Sequence, residues 1–106
     1  MNKNKNLTIS ICFEEDTITE LFSALLRAKG VKTRVVNSPK ELSEKDINSG
    51  TKIITEPQYI PLVPEVLKYE CMVVGNKESL KGLPGITLSR PLTEQKIELA
   101  IEDLLS

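Results

Sequence analysis

The chain has 106 residues and a mass of 11.8 kDa, the size of one domain, and buries about 65% of its extended surface. Apolar residues at 40% and charged residues at 27% exclude a disordered chain. Fourteen Lys and Arg against fifteen Asp and Glu give a net charge of −1, which argues against a nucleic-acid partner, and the absence of His excludes a His base, a His metal ligand and a phosphohistidine.

Residues 1–6 are polar and read as a disordered tail; residues 7–106 read as a single domain. Leu7 to Phe13 is β-branched and apolar, the pattern of a buried strand, and it stops at Glu14-Glu15-Asp16. An apolar run this short, ended this soon by acids, is neither a signal peptide nor a membrane span. Ile18, Leu21, Phe22, Leu25 and Ala28 then share one helical face, with Thr17 and Glu20 as a capping box and Gly30 as the C′ residue. Val31 to Val36 is a short second strand. Ser38-Pro39-Lys40-Glu41 starts a brief helix that Asn48-Ser49-Gly50 breaks, and Thr51 to Thr55 is the third strand. Pro57, Pro61 and Pro64 forbid a regular helix until Pro64, which stands as N1 of a helix through Tyr69.

Cys71 to Gly75 is a fourth buried strand, Asn76 caps one turn ending at Gly82, and Gly85 to Ser89 is the fifth strand. After Arg90-Pro91, Thr93 is the N-cap of the last helix. Leu92 staples onto Ile97, and Ile97, Ala100, Ile101, Leu104 and Leu105 form the buried face. Strands this short and apolar on both faces imply an α/β fold: a doubly wound, parallel five-stranded sheet of flavodoxin type, (βα)5, with shortened middle helices. Ligands of such sheets lie at the carboxyl ends of the strands.

The two cysteines, Cys12 and Cys71, form no metal motif and no disulfide framework, and both lie in apolar runs. A cytoplasmic protein with reduced thiols is expected. No Gly-rich phosphate loop, Ser/His/Asp set or metal-spaced cluster is present, so no cofactor, metal or enzymatic activity is expected. The bend from Pro57 to Pro64, with Tyr59, Ile60 and Leu62, is apolar for a loop and reads as a cover over the sheet edge.

Two stretches resemble a receiver domain, the phospho-accepting module of two-component response regulators. Ile18 to Val31 looks like a receiver first helix running into its glycine turn. Ile86 to Leu105 looks like the receiver ending, where a Lys-Pro pair leaves the fifth strand and an amphipathic helix closes the fold. The resemblance implies a site at the strand ends. There, two acids that hold Mg²⁺ fall on Phe13 and Glu14, followed by Glu15 and Asp16. The phospho-accepting Asp falls on Thr55 or Glu56, the hydroxyl switch on Gly75, the aromatic switch on Thr87 and the Lys on Arg90, with Pro91 after it. Glu14 to Asp16 keep part of the acidic corner, but Phe13 cannot ligate a metal, the acceptor and both switches are altered, and Arg is not a point-charge Lys. The implication is a degenerate receiver, or pseudo-receiver: a non-phosphorylatable module of bacterial signal transduction that binds a protein partner, with no nucleic acid and no membrane, and with a homodimer as one option. An ion pair from Arg90 to Glu14 or Glu56 is expected to stand where the cation would be.

A second resemblance is to the lactose/cellobiose-type IIB components of the sugar phosphotransferase system. Those begin with a strand ending in a phosphoryl-carrying Cys. Cys12 matches that place, and Glu56-Pro57-Gln58 followed by Pro64-Glu65 resembles a segment of that family. This implies Cys12 as an alternative nucleophile. Against it, a phosphocysteine needs a small loop of converging backbone N–H groups, and here Phe13, Glu14, Glu15 and Asp16 follow. A dianion about 6 Å from one carboxylate meets roughly 5 kcal/mol of repulsion at an effective dielectric near 20.

Overall fold

The computed structural model describes residues 7–106; the expected tail over residues 1–6 lies outside the described residues. Five strands form one all-parallel sheet: β1 (Thr8–Ile11), β2 (Lys32–Val35), β3 (Lys52–Thr55), β4 (Cys71–Gly75) and β5 (Ile86–Ser89). Their order is β2-β1-β3-β4-β5, the flavodoxin-like arrangement. The helices are α1 (Asp16–Ala28), α2 (Glu44–Asn48), α3 (Lys77–Leu80) and α4 (Glu94–Leu105), with 3-10 segments at Pro39–Glu41, Pro57–Leu62 and Glu65–Glu70.

The alternation of side chains along each strand divides the core in two. Ile9, Ile11, Ile54, Met72, Val74 and Leu88 pack against Phe22 and Leu26 of α1 and Ile97, Ala100, Ile101 and Leu104 of α4. Cys12, Ile53, Cys71 and Val73 face the other way, onto Val36, Leu42, Ile60, Val63, Leu67 and Leu80. One face therefore carries the two long helices and the other carries only short pieces. Among the described residues no helix is long and apolar enough to cross a membrane.

Gly30, at φ +77, ends α1 as expected. Its N–H donates to the Arg27 carbonyl (2.9 Å) and the Val31 N–H to the Leu26 carbonyl (3.0 Å), and Val31 and Leu26 share the same core. The start of α1 differs from expectation. Glu15, not Thr17, is the N-cap, and no side chain caps it. Asp16 in the first turn supplies negative charge to the helix start instead.

The predicted helix after Ser38 is divided. Ser38 caps only a 3-10 turn, with its Oγ accepting from the Lys40 N–H (3.2 Å) and Glu41 Oε2 from the Ser38 N–H (3.1 Å). Leu42 then turns extended to bury itself, and a second box, Ser43 with Asp46, starts α2. Pro64 likewise starts no α-helix. It precedes a 3-10 segment, because Ile60, Val63 and Leu67 must all point down onto the sheet within a few residues.

At the far end, Thr93 Oγ1 caps α4 by accepting from the Lys96 N–H (3.2 Å), as read from the sequence. Gly85, at φ +83, passes so close to β4 that a Cβ there would collide with the Cys71 carbonyl oxygen.

Candidate functional site at the carboxyl edge

The strand order reverses between β1 and β3, and in sheets of this kind the crevice lies beyond the carboxyl ends of those two strands. The chain brings Cys12, Phe13 and Glu14 to it from β1, and Thr55, Glu56 and Pro57 from β3.

Phe13 turns away from the crevice. Its ring stacks on Phe22 of α1 at a centroid distance of 5.6 Å and an interplanar angle of 11°. Glu14, Glu15 and Asp16 are exposed. Of the two candidate residues at the end of β3, Thr55 points inward. It is fully buried, and its Oγ1 donates to the Cys12 carbonyl (2.8 Å). Glu56 points outward over the edge, where its Oε2 accepts the Glu14 backbone N–H at 2.8 Å. The β1–α1 loop is thus held by a carboxylate from β3.

Gly75 closes β4. A Cβ at this position would lie 3.0 Å from Pro57 Cγ and 3.1 Å from Cδ, so the Pro57 ring occupies the space of a side chain. The Gly75 carbonyl accepts the Arg90 N–H (3.0 Å). Thr87 is exposed and sits beside Val73, two residues short of the edge. Arg90 is half-buried, and its peptide bond to Pro91 is cis. The expected ion pair from Arg90 to Glu14 or Glu56 does not form; among the described residues Arg90 has no ion pair. Arg90 follows β5, and β4 lies between β5 and β3, so the backbones that carry Arg90 and Glu56 are two strand spacings, about 10 Å, apart. The Glu56 carboxylate is also already engaged by the Glu14 amide.

Cys12 is 1% exposed. Burial pushes its thiol up from the ordinary value, against a Thr55 hydrogen bond, and the Glu56 and Glu41 carboxylates push the same way as burial. Tyr59 belongs to the same corner, although the sequence placed it only in the proline-rich bend. Its phenol is raised by burial first and then by the charges of Cys12, Glu14 and Glu56. Lys96 was also missed. From the first turn of α4 its Nζ donates to the Ser89 (2.6 Å) and Pro91 (2.8 Å) carbonyls and fastens the loop that carries Arg90. A lysine at the N3 position opposes the helix dipole, which was the available hint that it has another partner.

Among the described residues no three Asp, Glu or Cys side chains converge to hold a metal ion. Two surface grooves, of 320 and 260 Å³, lie away from this corner. The first is at the amino end of β3, beside Val66 and Glu70, and the second runs along β5 and α4, beside Leu99 and Asp103.

No family model matches the sequence, and no curated protein matches it. A solved structure does resemble it: the crystal structure of a "putative response regulator" from Chloroflexus aurantiacus. The likeness has a TM-score of 0.66, spans 92% of this chain and 96% of that one, and comes with 14% sequence identity. The fold is a five-stranded, all-parallel α/β sheet of flavodoxin type, similar to that of this structure. At 14% identity the likeness is one of fold.

Proposed function

We propose that this chain is a non-phosphorylatable, receiver-like module that binds a protein partner in bacterial signal transduction, in the cytoplasm and without enzymatic activity. One observation carries the reading: at the end of β3 the outward carboxylate belongs to Glu56 and is bound to the Glu14 amide. An acceptor must be open to an incoming phosphoryl group, and this one is engaged by its own chain. The metal argument runs the same way. A divalent cation of the Mg²⁺ kind needs near-octahedral oxygen donors. Phe13 is stacked in the core, Glu14 to Asp16 point to solvent, and Glu56 is engaged, so the residues present do not fit that cage. The near-neutral net charge supports a protein partner over nucleic acid.

The phosphocysteine alternative at Cys12 is disfavoured by burial of the thiol and by the Glu56 and Glu41 carboxylates, which together raise its pKa and suppress the thiolate. The deciding experiment is incubation of the full chain with acetyl phosphate and Mg²⁺, followed by intact-mass measurement. The expected result is an unchanged mass. A phosphoryl adduct at Glu56 overturns the reading, and an adduct at Cys12 transfers it to the carrier family.

A further inference from the structure

Two contacts on opposite sides of one dipeptide bear on how the carboxyl edge is regulated. Glu56 reaches across to the loop after β1, with Oε2 2.8 Å from the Glu14 nitrogen. Pro57 turns the other way and lies on the last residue of β4, where a Cβ on Gly75 would be 3.0 Å from its ring. Glu56-Pro57 therefore closes the space toward both neighbours of β3 at once. Beneath it, Thr55 is fully buried and ties β3 to the Cys12 carbonyl at 2.8 Å, so the dipeptide leaves the sheet from a fixed point.

We propose that Glu56-Pro57 is a built-in plug that holds the crevice shut and keeps the loop before α1 in one arrangement. The proposal deepens the non-phosphorylatable reading and rests on it for its meaning. Where a receiver changes the state of this edge on modification, this chain holds one state by an internal carboxylate and a proline ring. Regulation then comes from the partner, which meets a loop that is already ordered.

The test is residue-resolved hydrogen exchange on the full chain as wild type, Glu56→Ala and Glu56→Gln. In Glu56→Ala the Glu14 amide loses its acceptor, and its exchange is expected to quicken roughly tenfold or more. The amides of Ile53, Ile54 and Val73 in the sheet keep their wild-type rates. In Glu56→Gln the side-chain oxygen still accepts, and the Glu14 rate falls between the two. An unchanged Glu14 rate in Glu56→Ala overturns the plug, as does an increase shared equally with the sheet amides. If Glu56→Ala does not fold, Glu56→Gln decides alone: quickening confined to the β1–α1 loop supports the plug, and none refutes it. A phosphoryl adduct on the wild type would remove the functional reading and leave these rates as they are, so the two failures are distinguishable.

Discussion

Substituting Gly75 with Ala tests the closed edge through packing alone. The backbone of Gly75 is not at positive φ, so the conformation itself accepts a side chain. Space does not. The new Cβ would meet Pro57 Cγ at 3.0 Å and Cδ at 3.1 Å, with Leu80 Cδ2 at a comfortable 3.6 Å. Carbon atoms prefer about 3.5–4.0 Å, so the proline ring must retreat by about half an ångström. It is poorly placed to do so, because Glu56 beside it is bound to the Glu14 amide. Overpacking of this kind costs about 1–3 kcal/mol. Loss of glycine freedom in the unfolded chain returns about 0.4–1 kcal/mol. The expected net destabilisation of Gly75→Ala is about 1–2 kcal/mol, read from the urea midpoint at constant m-value. Pro57→Ala removes both crowding carbons, so in that background Gly75→Ala is expected to be close to neutral, a coupling of about 1 kcal/mol or more. A neutral Gly75→Ala in the wild type, or the same cost in both backgrounds, would refute the claim that Pro57 fills the end of β4.

Three further outcomes are expected. Lys96→Met keeps the aliphatic stem but loses both carbonyl contacts, at Ser89 and Pro91, and should lower stability by about 1–2 kcal/mol in urea titration; an unchanged midpoint would mean that water replaces the ammonium at no cost. Gly85→Ala should cost at least about 2 kcal/mol, since it combines positive φ with a collision on the Cys71 carbonyl. Gly82→Ala, also at positive φ but in open space, should cost about 1 kcal/mol, and equal costs at the two sites would remove the collision from the account. Burial raises the pKa of both thiols, Cys12 and Cys71, so the unfolded chain loses these protons at a lower pH than the folded one. Stability is then full below the ordinary thiol value, about 8.5, and falls as pH rises through it toward the folded values. The slope should shrink in Cys12→Ala, and a stability that rises over that range would contradict buried neutral thiols.

The parts of the fold legible in sequence were those where one local pattern decides. Cys71-Met72-Val73-Val74 is apolar on both faces, and the structure divides it between the two cores residue by residue. Gly30 and Thr93 mark helix ends through their own backbone or hydroxyl, so their positions hold without tertiary help. The readings that shifted lie where a tertiary contact overrides a local signal. Thr17 with Glu20 has the spacing of a capping box, but the chain enters α1 earlier because Glu56 fixes the Glu14 amide, 42 positions away in sequence. Ser38 and Ser43 are both competent caps, and the burial of Leu42 between them is what makes two short elements of one.

The site is less legible than the scaffold for a physical reason. Strand interiors are constrained by burial on two faces, which leaves a compositional trace in every residue. Strand ends are constrained only by what they meet, and that depends on strand order. Once β4 is known to separate β5 from β3, an Arg90–Glu56 pair must span two strand spacings, about 10 Å, and in the structure Glu56 takes the nearer Glu14 amide instead. Once β1 is known to lie beside β3, a carboxylate one residue past β3 is within reach of an amide three residues past β1. The same reasoning separates what holds this sheet from what stands at its edge. The apolar faces of Ile53, Ile54, Met72 and Val73 are buried in the two cores, whereas Glu56, Gly75 and Arg90 stand at the strand ends, so the strands are held chiefly by residues other than those that set the chemistry of the edge.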